Sequence, residues 1–231
     1  MKNTVLIISL FFLFSCQNSF PLVVAKNKSN SNAAITSAFA KATTEPTTLN
    51  DTTFVNLKDY SAEFVLDMKY ATDDNFLKTK VYDCPECYLR LKTLKSLISA
   101  NEAFLKLGYH LKLFDCYRPL SIQKKMWKIV NDPQYVADPA KGSIHNRGGA
   151  VDLTLVDADG KELDMGTPFD YFGEKAGHNY TDLPEKVLKN RRLLKKIMLE
   201  NNFLSFDSEW WHYNLKDAAK DSLSDFKWKC K

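Results

Sequence analysis

Ser143-Ile-His-Asn-Arg-Gly-Gly-Ala-Val-Asp-Leu-Thr-Leu-Val156, followed at once by Asp157-Ala-Asp-Gly160, is the stretch on which the fold turns. Ala150 to Val156 reads as a strand, and Asp157 to Gly160 as its hairpin turn, because Asp and Gly tolerate the positive φ that tight hairpins demand. A strand that folds back on itself predicts antiparallel pairing. Working outward, Phe64, Leu66 and Met68 alternate with Val65 and Asp67, a second strand signal. Leu91, Leu94, Leu97, Ile98, Phe104 and Leu105 follow helical spacing and stop at Gly108. Leu111-Lys-Leu-Phe-Asp115 alternates again, and Pro119 cannot continue a central strand, so Arg118 stands where strand gives way to loop. Ser121 is predicted to cap a helix running through Val130. Pro184 to Asn201 is a third helix, with Val187, Leu188, Leu194, Ile197 and Met198 on one face, and Phe203 to Phe206 a short strand. Interleaved helices and strands with recurring hairpin turns predict an α+β single domain with a central antiparallel sheet flanked by helices.

The chain has 231 residues, 45% hydrophobic and 26% charged, which suits one domain of ordinary size. Lys and Arg exceed Asp and Glu by only four, with no basic run, which excludes a dedicated nucleic-acid surface. The one apolar stretch that could meet a bilayer lies at the N-terminus, so a polytopic membrane protein is excluded too. After Met1-Lys2-Asn3, Thr4 to Phe14 is too short to span a bilayer, which needs about 20 residues, and it matches a secretory core over 1–15. Leu13-Phe14-Ser15-Cys16 resembles a bacterial lipobox, in which the Cys16 thiol is acylated. The other reading is cleavage after Val23-Val24-Ala25. Gln17 to Thr52 is rich in Asn, Ser, Thr, Ala and Lys, and cannot bury enough surface to offset its ordering entropy. The expectation is a flexible tether over 16–52 and a folded domain over 53–231, exported to the periplasm or cell envelope and lipid-anchored.

Four cysteines remain: Cys84, Cys87, Cys116 and Cys230. In an exported chain an even count permits disulfides, with three possible pairings. Cys84-Pro-Glu-Cys87 looks like half of a zinc ribbon or a redox motif, but no second such pair partners it, so structural or free thiols are expected.

The chemistry concentrates in two places. In Ser143 to Asp152, His145 and Asp152 flank a Gly pair that allows a tight turn bringing them to one point. In Ser208-Glu-Trp-Trp-His-Tyr213, Glu209 and His212 are three apart and would face opposite ways on a flat strand, so a bend or bulge is needed if both serve one site. Two imidazoles and one carboxylate make a tripod for zinc that leaves a fourth position for water. His110 and His178 lack comparable surroundings.

Ser-x-His-x-x-Gly-x-Ala-x-Asp (143–152) and Glu-x-Trp-His (209–212) resemble the signatures of the zinc D,D-peptidases of family M15, most nearly its D-alanyl-D-alanine dipeptidases. The resemblance extends from about Phe54 to the C-terminus, through Tyr70-Ala-Thr72, Asn75-Phe76, Asp115-Cys-Tyr-Arg-Pro119, Met165-Gly-Thr-Pro-Phe-Asp170 and Asn190-Arg-Arg192. It implies a hedgehog-like α+β fold and one zinc ion held by His145, Asp152 and His212. It further implies Glu209 as general base and acid, Arg118 stabilising the tetrahedral intermediate, and Ser143 and Asp170 holding the free ammonium of the substrate. Trp210, Trp211 and Tyr213 read as packing around the metal. The implied partner is a small D-amino-acid dipeptide, D-Ala-D-Ala, with membrane contact only through the anchor. Alternatives are a D,D- or L,D-carboxypeptidase on peptidoglycan stem peptides, or a non-catalytic zinc-stabilised wall-binding module. Glu209 and Arg118 count against the last, since neither is needed merely to hold a metal. Oligomeric state is left open.

Overall fold

The computed structural model describes residues 49–230; the signal segment, Cys16, Ala25 and most of the tether lie outside the described residues. Strands β1 (Phe54–Asn56), β2 (Val65–Leu66) and β3 (Tyr88–Arg90) precede helix α1 (Leu91–Leu105). There follow β4 (His110–Asp115), α2 (Leu120–Ile129), β5 (Ala150–Val156), α3 (Glu185–Glu200), β6 (Phe203–Phe206) and β7 (Glu209–Leu215).

α1 forms because its apolar residues recur at helical spacing: Leu91, Leu94, Leu97, Ala100 and Phe104 share the face that is buried. Withdrawing each of Leu94, Leu97 and Phe104 from water contributes about 1.5–3 kcal/mol. The chain leaves the helix through Gly108 at φ +80°, a conformation a side chain would strain. α1 packs on β3, β4 and α3, and α3 packs in turn on β6 and β7. Between them lie Leu111 and Leu113 of β4, Leu153 and Leu155 of β5, Leu194 and Met198 of α3, and Trp211 and Tyr213 of β7, all buried.

The main sheet runs β2-β4-β5-β7-β6, and β1 and β3 form a separate antiparallel pair. β4, β5, β7 and β6 pair antiparallel, the sheet type expected, but the turn after Val156 joins none of them and closes only on an isolated bridge between Val156 and Glu162. The Phe64–Met68 segment differs from expectation. Only Val65 and Leu66 are strand, and they pair parallel to Lys112 and Leu113 at the sheet edge. Ser121 also departs from its expected role. The helix begins at Leu120 behind Pro119 without a side-chain cap. The Leu120 N–H instead donates to the Ser224 carbonyl at 3.0 Å, and the Ser121 N–H to Asp225 Oδ1 at 2.7 Å. The orphan donors of the first turn are thus met by the C-terminal segment. Two disulfides, Cys84–Cys230 and Cys87–Cys116, select one of the three pairings. No helix among the described residues is long and apolar enough to cross a membrane.

Candidate metal centre

The register of the sheet assembles the site. Asp115 of β4, Asp152 of β5 and His212 of β7 are direct cross-strand partners and so form one row across three strands. Regular alternation would place Asp115 on the core face with Leu113. A one-residue register shift between Leu113 and Asp115 turns it to the side of Asp152. His145 comes from the turn that precedes β5. Gly148 closes that turn at φ +71°, and a Cβ there would lie 2.5 Å from the Phe54 ring, so glycine is required twice over. On the far side, the hairpin between β6 and β7 carries a longer insertion. Ser205 pairs with Tyr213 but Phe206 already pairs with Glu209. This is the bulge that the Glu209–His212 spacing demands, and it brings Glu209 Oε2 to 3.9 Å from His212 Nδ1.

His145 Nε2, His212 Nδ1 and the Asp152 carboxylate converge. His145 Nε2 lies 3.3 Å from His212 Nδ1 and 3.4 Å from Asp152 Oδ2, and His212 Nδ1 is 2.9 Å from Asp152 Oδ1. Tetrahedral ligands at ordinary zinc–nitrogen and zinc–oxygen distances stand about 3.4 Å apart, so this donor set fits such an ion. Both imidazoles are oriented from behind. His145 Nδ1 donates to the Cys116 carbonyl at 2.6 Å, and His212 Nε2 donates to Asn214 Oδ1 at 2.9 Å. Carbonyl oxygens only accept, so the nitrogens turned inward are the ones free to bind a metal. Burial alone would raise the Asp152 carboxyl, but His145 and His212 outweigh it and hold the group well below the usual carboxylate range. His212 is raised in spite of burial, because it hydrogen-bonds Asp152.

Glu209 is pushed up by burial, with Asp152 adding to the effect against His212, His145 and Arg118. It opens onto a cavity of about 670 Å³ that Phe172, Tyr180 and Asp207 also line. Arg118 is buried and forked onto Asp115, with Nη2 at 2.6 Å and Nε at 3.2 Å from Oδ2, while Nη1 reaches Gln123 Oε1 at 2.9 Å. Burial alone would lower the guanidinium, but Asp115 together with Tyr82 and Tyr70 outweighs it and raises the group, so it stays charged. Asp170 sits in the left-handed region at φ +58°, and the Tyr70 hydroxyl donates to both its oxygens at 3.1 Å. Burial and the nearby Asp152 raise its carboxyl well above the ordinary value. Ser143 is placed differently from its neighbours. Its Oγ accepts the His145 N–H at 3.1 Å and thereby shapes the turn.

A family model described as D-Ala-D-Ala dipeptidase, peptidase family M15, matches residues 50–229. The chain belongs to the M15 peptidase family. It is similar to the D-alanyl-D-alanine dipeptidase of Escherichia coli K12, 36% identical over 79% of this chain and 95% of that one. The D-alanyl-D-alanine dipeptidase of Enterococcus faecium is 33% identical over 69% of this chain and 90% of its own. A solved LD-carboxypeptidase aligns at a TM-score of 0.39 and 20% identity, over 58% of this chain and 62% of that one, too weak a likeness to bear on fold or function. As an M15 peptidase the chain is a hydrolase, and the row of Asp152 and His212 with His145 above it is where such an enzyme can hold its metal.

The sequence motifs do not single out Asp115, Asn214, Tyr70 or the Cys116 carbonyl for a role. Asn214 is findable in principle, since two residues beyond His212 on one strand means the same face. The others depend on a bulge and on chain crossings that no local pattern encodes. Trp210 and Trp211 are buried as expected; Trp210 Nε1 donates to Thr167 Oγ1 at 2.8 Å, and the Trp211 ring meets Phe169 at 5.5 Å.

Proposed function

We propose that the protein is a zinc-dependent dipeptidase hydrolysing free D-Ala-D-Ala. The observation that carries this is the convergence of His145 Nε2, Asp152 and His212 Nδ1 beside a partly buried Glu209 that takes no part in the cluster of ligand atoms. Two dipeptidase relatives at 33% identity or more point to the same substrate.

His145, Asp152 and His212 would hold the ion, which when bound supplies a Lewis acid that activates water and polarises the scissile carbonyl. Glu209 takes a proton from the attacking water and delivers it to the departing amine, a task suited to a carboxyl raised toward neutrality. Arg118 supplies fixed positive charge where the oxyanion develops, and its fork onto Asp115 means that no reorganisation is needed. Asp170 receives the substrate ammonium, whose positive charge favours the ionised carboxyl that burial and Asp152 disfavour without it, and Tyr70 donates to both its oxygens. Ser143 contributes by fixing the His145 amide. A role in cell-wall peptide turnover follows from that substrate. Export and an acylated Cys16 are part of the same proposal, and two disulfides accord with an oxidising compartment. Membrane fractionation of the wild type against Cys16→Ser tests the anchor: equal partitioning of both would remove it.

The functional test separates metal from chemistry. Glu209→Ala is expected to retain one zinc per chain and to lose about 10²–10⁴-fold in kcat on D-Ala-D-Ala, whereas His212→Ala loses the zinc itself. Near-normal kcat in zinc-replete Glu209→Ala would overturn the assignment.

A further inference from the structure

Cys84-Pro-Glu-Cys87 stands outside every motif used so far, yet Cys87 is cross-linked to Cys116, whose carbonyl orients His145, and Cys84 to Cys230 in the C-terminal segment. Cys87 and Cys116 are fully buried. Cys116 follows directly on Asp115, the last residue of β4 to pair with β5. Beyond that point the ladder ends and the sheet no longer fixes the backbone. The carbonyl that orients His145, at 2.6 Å from Nδ1, is therefore presented from a stretch that has left the sheet.

Where the ladder ends, the Arg118 N–H donates to the His145 carbonyl at 3.1 Å, and three further bonds hold Cys116 and Tyr117. The Cys116 N–H donates to Asp115 Oδ1 at 2.9 Å, the Tyr117 N–H donates to the Tyr88 carbonyl at 2.9 Å, and the Cys116 side chain is bonded to Cys87. Two of the three run to the start of β3. The same strand fixes the turn that bears His145. The Arg90 N–H donates to the Gly148 carbonyl at 3.0 Å and Arg90 Nε to the Arg147 carbonyl at 2.6 Å. β3 thus backs both the imidazole and the carbonyl that aims it, and the cross-link ties the second to the first.

Resting on the metal reading above, we propose that the Cys87–Cys116 disulfide is a positioning device for the metal ligand His145, setting the Cys116 carbonyl so that Nε2 faces the centre. Outer partners of metal-bound histidines typically account for about 10–100-fold in metal affinity. Forming the bond takes two electrons and two protons from the thiols of Cys87 and Cys116 to a disulfide-bearing oxidant, which leaves as a dithiol. The cross-link, and with it full metal affinity, then belongs to the oxidised chain. Cys84–Cys230 differs in kind. It fastens Cys230, beyond the Trp228 ring that stacks on Tyr88, and neither of its cysteines carries a carbonyl that orients a ligand, those belonging to Cys116 and Asn214.

The experiment is zinc affinity of the folded full-length protein by chelator competition, well below the melting temperature. It compares wild type, Cys87→Ser/Cys116→Ser and Cys84→Ser/Cys230→Ser. The expected result is zinc bound about 10–100-fold more weakly by the first pair and within about threefold of wild type by the second, although both melt earlier. If the first pair does not fold, Cys87→Ala/Cys116→Val, which refills the volume, carries the same comparison. Wild-type affinity in the first pair, or equal losses in both, would overturn the inference. A wild type that binds no zinc at all would instead remove the functional reading on which it rests.

Discussion

Asp170→Asn should convert an enzyme that demands a free amine into one nearly indifferent to it. The residue is at φ +58°, which Asn tolerates and Ala does not, so Asn is the substitution that changes charge without backbone strain. Tyr70 can still donate to the remaining oxygen, preserving one of the two 3.1 Å contacts. What is lost is a charge-assisted bond to the substrate ammonium, worth about 1.5–3 kcal/mol for a partly buried carboxylate. In kcat/KM that is roughly 10–150-fold on free D-Ala-D-Ala. N-acetyl-D-Ala-D-Ala offers no charge to this position, so its kcat/KM should change little. The assay is a ratio, free over acetylated dipeptide, measured for both proteins at matched zinc content. The ratio should fall by the same 10–150-fold. If Asp170→Asn lowered both substrates equally, or left the ratio at its wild-type value, Asp170 would not be the ammonium anchor.

Arg118→Ala should keep zinc but lose about 10²–10³-fold in kcat. It should also melt earlier, because Asp115 is fully buried and loses its ion-pair partner, keeping only the Tyr82 and Cys116 hydrogen bonds, which costs about 3–5 kcal/mol; an unchanged kcat in folded, zinc-loaded protein would contradict its role. His178 supplies a pH signature in stability. Burial first, then Lys195 and Arg191, lower it to about 4, and its Nε2 has no hydrogen-bond partner among the described residues. The unfolded chain therefore binds a proton that the folded one refuses, and unfolding free energy should drop as pH falls from about 6.5 toward 4. Urea melts of His178→Gln should show a shallower slope across that window; an identical slope would clear His178 of the effect.

How far the sequence reveals this site depends on how local each signal is. β5, α1 and α3 stand out because their apolar period repeats over enough residues to exclude the alternative, as in Leu91 to Leu105. β1 and β3 have three residues each, too few for a period to register, yet they back the metal turn. β2 pairs parallel to a strand that lies beyond α1, a contact no hairpin signal announces. The ligand trio is legible because His145 and His212 are two of only four histidines and each stands at a fixed spacing from a carboxylate, His145 from Asp152 and His212 from Glu209. Asp115 is not, because only the shift after Leu113 turns it toward Asp152. The cysteine pairing is symmetric on paper, and the packing of the C-terminal segment over Tyr88 breaks the symmetry.

Substrate length tests the central claim most directly. A carboxypeptidase needs an open path for the peptide preceding the scissile residue, whereas the proposal assigns Asp170, held by the Tyr70 hydroxyl, to the free ammonium of a dipeptide. The measurement is kcat/KM of the wild-type, zinc-loaded enzyme on free D-Ala-D-Ala and on a stem pentapeptide ending in D-Ala-D-Ala. The account predicts that the free dipeptide is favoured by at least the roughly 10-fold that one charge-assisted bond supplies. Equal kcat/KM on the two, or faster cleavage of the pentapeptide, would contradict it and make the enzyme a carboxypeptidase.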